Sequence, residues 1–157
     1  MSDPSFSRRR FVILISGQGS NMTAIARACM AGSCLADVVA VISNKAEATG
    51  ITWAHEQGIA TEVVSHKDFP SREAFDARLA ETIEKYSPDY VLLAGFMRVL
   101  TPRFVERFST KLINIHPSLL PSFPGLHTHA QAIATGVQAH GCTVHFVTPI
   151  LDHGPVI

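Results

Sequence analysis

Cysteine is scarce in this chain, and its spacing does not suit cross-linking. Cys29, Cys34 and Cys142 are an odd, scattered set of three. A disulfide scaffold needs more of them, and a zinc ribbon needs paired CxxC spacings. They are expected to be reduced thiols in a cytosolic core. An excess of charge is also missing, because Lys+Arg and Asp+Glu both number 13. That removes the usual electrostatic motive for binding nucleic acid or an anionic membrane. A small anion remains possible, since a few backbone amides can hold one. No apolar run approaches the ~20 residues that span a bilayer. The stretch Ser7-Arg8-Arg9-Arg10 followed by Phe11–Ile15 superficially looks like a twin-arginine export signal. Its apolar part is too short for the about 7–15 residues such a signal needs, and a Gly/Ser/Asn turn follows at once. Residues 1–10 are therefore read as a flexible polar tail, with the fold starting at Phe11.

What is present is a chain of 157 residues, 46% hydrophobic, of a size for one domain. Strands and helices alternate along it. Phe11–Ile15, Val38–Ile42, Ile59–Val64, Tyr90–Ala94, Leu112–Ile115 and Cys142–Val147 read as strands, several of them apolar throughout, as buried strands are. Between them, Met22, Ile25, Ala26 and Cys29 recur at helical spacing up to Gly32. Residues 46–57 read as a second helix with Gly58 beyond its end. Ser71 caps a third, with Phe75, Leu79, Ile83 and Tyr86 on one face and Pro88 as its stop. Thr101-Pro102 opens a short helix, and Thr128 caps another that ends at Gly136. This alternation predicts an α/β fold: a doubly wound, mostly parallel sheet with helices on both faces. Ligands of such sheets sit beyond the carboxyl ends of the strands, where the strand order reverses. The loops that begin at Ser16, Ser43, Gly95, His116 and Thr148 are the places to look.

Three of these carry chemistry. Ser16-Gly17-Gln18-Gly19-Ser20-Asn21 leads from the first strand into the first helix, whose free amides and positive dipole end suit a phosphate or carboxylate. It is neither a dinucleotide fingerprint, since Met22 stands where the third glycine belongs, nor a P-loop, since no lysine follows. A plain tight turn capped by Ser or Asn explains it equally well. Asn114 and His116 lie two apart at a strand end and so share a face. An amide can donate to a developing oxyanion and an imidazole can move a proton. The competing reading is a structural hydrogen-bonded pair. Asp152 follows the last strand, and a carboxylate beside His116 would favour the imidazolium. An Asx turn ahead of Gly154-Pro155 is the local alternative. The histidines His116, His127, His129 and His145 have neither the i, i+4 spacing nor the cysteine partners of a metal set, so no metal is expected.

The blocks Asn114-Ile115-His116-Pro117-Ser118-Leu119-Leu120-Pro121, Phe123-Pro124-Gly125-Leu126-His127-Thr128-His129, His145-Phe146-Val147-Thr148 and Leu151-Asp152-His153-Gly154-Pro155 closely resemble the folate-dependent formyltransferases, which have a Rossmann-like fold. The resemblance covers Phe11 to Ile157. It implies formyl transfer from 10-formyltetrahydrofolate to the amine of 5'-phosphoribosylglycinamide, a step of purine biosynthesis, with the folate as co-substrate and no tightly bound cofactor. Asn114, His116 and Asp152 match the family's catalytic trio, with His116 as proton donor. Gly19, Ser20 and Asn21 match the loop that holds the ribonucleotide phosphate, and Gly95 and Pro117 match cleft-lining backbone. Arg72, Met97, Arg98, Val99 and Leu100, with Asn114, Thr148, Pro149, Ile150, Leu151 and Asp152, match the folate pocket. Gln18 and His153 depart from the family at variable positions.

The expected partners are small molecules alone, with no nucleic acid and no membrane, for a cytoplasmic monomer or homodimer. Pro155-Val156-Ile157 reads as the start of a strand. The family adds a strand and a terminal helix after it, so residues 11–157 are expected to be one domain lacking that end. Two alternatives stay open. A formyltetrahydrofolate deformylase shares the trio but uses water as acceptor, and its relatives read S-F-L-P where this chain has Ser118-Leu119-Leu120-Pro121. A non-catalytic nucleotide-binding module would explain the glycine loop but not the trio.

Overall fold

The computed structural model describes residues 7–157. Six strands form one sheet in the order β3-β2-β1-β4-β5-β6. They are β1 (Arg9–Ile15), β2 (Ala36–Ser43), β3 (Ala60–Val63), β4 (Tyr90–Leu93), β5 (Leu112–His116) and β6 (Thr143–Phe146). The first five run parallel and β6 runs antiparallel to β5. The helices are α1 (Ser20–Met30), α2 (Thr49–Glu56), α3 (Arg72–Glu84), α4 (Pro102–Arg107) and α5 (Thr128–Thr135), with a 3₁₀ turn at His66–Asp68. This is the expected α/β architecture.

Alternation along β1 explains the layers. Val12 and Leu14 face one side, packed with Phe75, Leu79 and Ile83 of α3 and Phe104 and Val105 of α4. Ile13 and Ile15 face the other, packed with Met22 of α1 and Ala54 of α2. All four β1 residues are fully buried. Each such side chain contributes roughly 1.5–3 kcal/mol of burial free energy. A strand sandwiched on both faces has no room for alternating polar residues, so its sequence is a continuous apolar run.

The tail boundary needs correction. Residues 1–6 lie outside the described residues, but Arg9 and Arg10 belong to β1, paired with Ala36 and Asp37. Arg8 donates from its guanidinium to the carbonyls of Cys29 and Ala36, and Arg10 donates to that of Tyr86. Long cationic side chains that satisfy helix-end and strand carbonyls make a fold edge from what reads as a solvated charge run. The cysteines also differ from expectation. Cys29 is buried, Cys34 is half-buried, and Cys142 is exposed rather than in the core.

Beyond β6 the chain leaves the sheet after Phe146 and returns to it. The Phe146 N–H donates to the Pro155 carbonyl, and Val156 bridges to His145. The return passes so close that a Cβ on Gly154 would lie 1.6 Å from the Phe146 carbonyl oxygen. Only a residue without a side chain fits there. Gly154→Ala is accordingly expected to cost about 1–3 kcal/mol as a forced overpacking. At this chain length that lowers the melting temperature by roughly 2–4 °C per kcal/mol, measurable by thermal denaturation; an unchanged melting temperature would contradict the close return.

Candidate active site

The strand order reverses between β1 and β4, and the loops there are tied together. Ser16 donates its hydroxyl to Asn44 Oδ1 at 2.6 Å and accepts the Met97 N–H at 2.8 Å. Its own N–H donates to the Gly95 carbonyl at 3.1 Å. Ser16 and Asn44 are both buried, so this pair fixes the spacing of three loops without facing solvent. The Gly50 N–H, at the start of α2, donates to the Gly17 carbonyl and braces the glycine loop from behind.

Gly19 is itself the N-cap of α1, in the left-handed region at φ 67°, and no side chain caps the helix. This departs from the expected Ser or Asn cap. The consequence is chemical, because the exposed Ser20 and Asn21 start a helix whose first amides have no side-chain acceptor and whose first turn carries no acidic residue. Such an end attracts an anion.

On β5, His116 is buried and Asn114 half-buried. His116 Nδ1 lies 3.4 Å from Asp152 Oδ1, with both side chains almost sealed from solvent. His116 Nε2 lies 2.9 Å from the Phe123 carbonyl oxygen. The two groups beside the ring, a carbonyl oxygen and a carboxylate, are both of the accepting kind. Asp152 Oδ2 accepts the Gly125 N–H at 2.8 Å. Its carboxylate is spent on His116 and on the facing loop, and not on a local turn.

The route by which Asp152 arrives differs from the sequence argument. That argument placed the loop after the last strand at the carboxyl edge of the sheet. Because β6 is antiparallel, Phe146 sits opposite Ile113 and the Val147 N–H donates to the Leu112 carbonyl, at the amino end of β5. The five steps from Val147 to Asp152 span up to about 17 Å when extended, enough to run back along a five-residue strand. Asp152 itself adopts φ 50°, a conformation that Asp tolerates better than most residues.

The loop from His116 to Leu126 is held by buried hydroxyls. Ser118 is fully buried and donates to the Ser122 carbonyl. Thr143 of β6 donates to the Ser118 carbonyl at 2.7 Å and accepts the Leu120 N–H at 3.0 Å. Thr128 donates to the Pro117 carbonyl at 2.5 Å. Of the backbone expected to line a ribonucleotide cleft, the carbonyls of Gly95 and Pro117 thus already serve the fold. Ser118 and Thr143 were not among the expected site residues. Their sequence signal is a small hydroxyl next to apolar neighbours, which is too common to stand out.

Of the expected folate positions, Met97, Val99, Ile150 and Leu151 are exposed apolar residues, the kind of surface a flat heterocycle covers. Arg98 lies half-buried with its guanidinium 5.0 Å over the Phe75 ring. Arg72, one turn before Phe75 on α3, is exposed. Leu100 is half-buried against the core, and Pro149 lies in the turn between Thr148 and Ile150, where Thr148 donates to the Ile150 carbonyl. Two surface cavities of about 260 and 270 Å³ lie elsewhere, one beside α5 at His129 and His140, the other at Glu62 and Lys85. Neither touches the trio. Burial holds the Cys29 thiol up at about 11, with Cys34 adding to the shift, so it is protonated at neutral pH and is no nucleophile.

Among the described residues no helix is long and apolar enough to cross a membrane, and no three His, Cys, Asp or Glu side chains are grouped to hold a metal.

Known proteins share this sequence and fold. Phosphoribosylglycinamide formyltransferase of Escherichia coli (strain K12) is 54% identical over 146 residues, which is 93% of this chain and 69% of that protein. The trifunctional purine biosynthetic protein adenosine-3 of Bos taurus is 47% identical over 96% of this chain, which amounts to 15% of its own length. Glycinamide ribonucleotide transformylase 1 from Symbiobacterium toebii superposes with a TM-score of 0.94 at 44% identity, covering 98% of this chain and 72% of that one. The formyl transferase family model matches residues 9–157, and the chain belongs to that family.

Proposed function

We propose that this chain transfers the formyl group of 10-formyltetrahydrofolate to the amine of 5'-phosphoribosylglycinamide, in the synthesis of purines. The names of its relatives point to that acceptor and do not favour the hydrolase alternative. The observation that carries the chemistry is a buried His116–Asp152 pair two residues from Asn114 on the same face of β5.

In this reading the ribonucleotide phosphate rests on the first turn of α1, at Gly19, Ser20 and Asn21. The folate lies across Met97, Arg98, Val99, Leu100 and residues 148–152, with Arg72 near its acidic tail. The amine attacks the formyl carbon, a C–N bond forms, and the carbonyl oxygen becomes an oxyanion. The Asn114 amide and the His116 imidazolium donate to that oxyanion. The intermediate then collapses with cleavage of the bond to N10. N10 takes the Nε2 proton of His116, directly or through water, and the proton shed by the amine restores the imidazolium. Delivering that proton requires exchange of the hydrogen bond to the Phe123 carbonyl. Asp152 compensates the ring's charge throughout. No covalent nucleophile, metal or tightly held cofactor enters the scheme. We further propose that the described chain is one domain that works as a monomer or homodimer on small molecules in the cytoplasm.

Formyl transfer followed with and without the ribonucleotide tests the reading. Formyl transfer only in its presence is expected, whereas formate release without it would assign a deformylase. His116→Ala is expected to lower kcat by about 10²–10⁴-fold in a protein whose circular dichroism shows the fold retained; a rate within threefold of the parent would remove His116 from the mechanism. Asp152→Asn is expected to lower kcat far more than it raises either KM, which steady-state kinetics would show. Asn21→Glu is expected to raise KM for the ribonucleotide at least tenfold, by repulsion at the helix start, while calorimetric folate affinity stays unchanged.

A further inference from the structure

One buried histidine in the cleft wall has no part in that scheme. His145 lies on β6 directly opposite Asn114 on β5, and its side chain is among the largest that are fully enclosed, at 2% exposure. Directly opposed residues of an antiparallel pair bring their Cβ atoms to about 4.5–5.5 Å, so the two side chains meet. His145 Nε2 lies 3.3 Å from Asn114 Nδ2, and His145 Nδ1 lies 3.0 Å from the Phe146 carbonyl oxygen.

These two contacts fix each other. A carbonyl oxygen only accepts, so Nδ1 carries the hydrogen. In the neutral ring Nε2 is then a bare acceptor, and the group facing it must donate. The Asn114 amide meets that demand only with its nitrogen towards His145. With the amide turned over, Oδ1 would confront the Nε2 lone pair, and both acceptors would be left unsatisfied. The Phe146 carbonyl is itself held by the close return of Gly154, whose missing side chain leaves room for it.

We propose that His145 is a positioning residue that locks the Asn114 amide in the orientation whose second N–H points to the formyl oxygen. The proposal rests on the reading of Asn114 as an oxyanion donor. One N–H of the amide is anchored on Nε2, and the other is left for the developing charge. Without the anchor nothing holds an N–H towards the oxyanion, and the preorganisation that makes the amide a donor is lost. A donor works by being oriented before the charge appears, so losing the lock costs turnover while ground-state binding stays. Histidine suits the place because its two nitrogens sit on opposite sides of a rigid ring, one fixed by the backbone and one offered to Asn114.

The test compares His145→Phe, which keeps the ring and removes the acceptor, with His145→Gln, which restores an acceptor near the Nε2 position. In His145→Phe, kcat is expected to fall about 10²-fold, the lower end of what a lost oxyanion donor costs, with both KM values within threefold. His145→Gln is expected to recover most of the loss. In an Asn114→Ala background, His145→Phe is expected to change kcat less than threefold, because nothing is left to orient. Multiplicative losses in the double variant, or a His145→Phe rate near the parent's, would overturn the proposal. The ¹⁵N–¹H₂ signals of Asn114 give a readout without catalysis: one hydrogen-bonded proton shifted downfield in the parent and in His145→Gln, and lost in His145→Phe. Equivalent, unshifted protons in the parent would also overturn it. Absence of formyl transfer in the parent alongside the shifted proton would instead contradict the functional reading and leave the lock standing. If His145→Phe melts early, the parent spectrum and the His145→Gln kinetics decide alone.

Discussion

The contact between His116 and Asp152 organises everything around the cleft. A carboxylate and an imidazole enclosed together are stable only as a compensated pair, because an uncompensated buried charge is expensive. Their surroundings are built to keep them together. Gly125 donates to the carboxylate from one loop, Phe123 accepts from the imidazole on the other side, and Thr143 latches the same loop to β6. Remove either of the first two and the pair loses a hydrogen-bond partner, not merely a neighbour. The excursion between Phe146 and Gly154, the left-handed backbone of Asp152 and the glycine that closes the return are all consequences of bringing one carboxylate to one ring.

In the proposed scheme the cleft separates its tasks by physical type. Anion binding is assigned there to a helix start, after a loop in which the Gly50 N–H donates to the Gly17 carbonyl and the Ser16 N–H to the Gly95 carbonyl. Apolar contact is left to exposed side chains on the loops after β4 and β6. Proton movement is confined to the enclosed end of β5. A chain with no net charge can handle a phosphate this way, because oriented amides supply a local positive field without adding a basic patch.

Much of this was legible in the sequence, for reasons that differ by residue. The two-residue period of a strand places Asn114 and His116 on one face wherever the strand lies, and the continuous apolar runs announce a doubly covered sheet. The pairing of Asp152 with His116 was legible through the resemblance. Its route was not, because nothing local in Thr143–Phe146 says whether that strand runs with its neighbours or against them. His145 was weighed only as a metal ligand. Its importance lies in being opposite Asn114, and cross-strand register is a property of the sheet and not of a motif. The arginines before Phe11 read as tail because their partners, the carbonyls of Cys29, Ala36 and Tyr86, lie far away in sequence. The Ser/Asn cap expected at α1 gave way to Gly19, since the left-handed turn there leaves the side chains of Ser20 and Asn21 on the helix.

A crystal structure with a folate analogue and the ribonucleotide bound together tests the central claim most directly. The account predicts the formyl oxygen, or the atom of the analogue that stands for it, within hydrogen-bonding reach of both Asn114 and His116, the ribonucleotide phosphate on the first amides of α1, and Asp152 still against the ring. A ligand seated beside α5 near His129 and His140, or a formyl group facing away from β5, would contradict it.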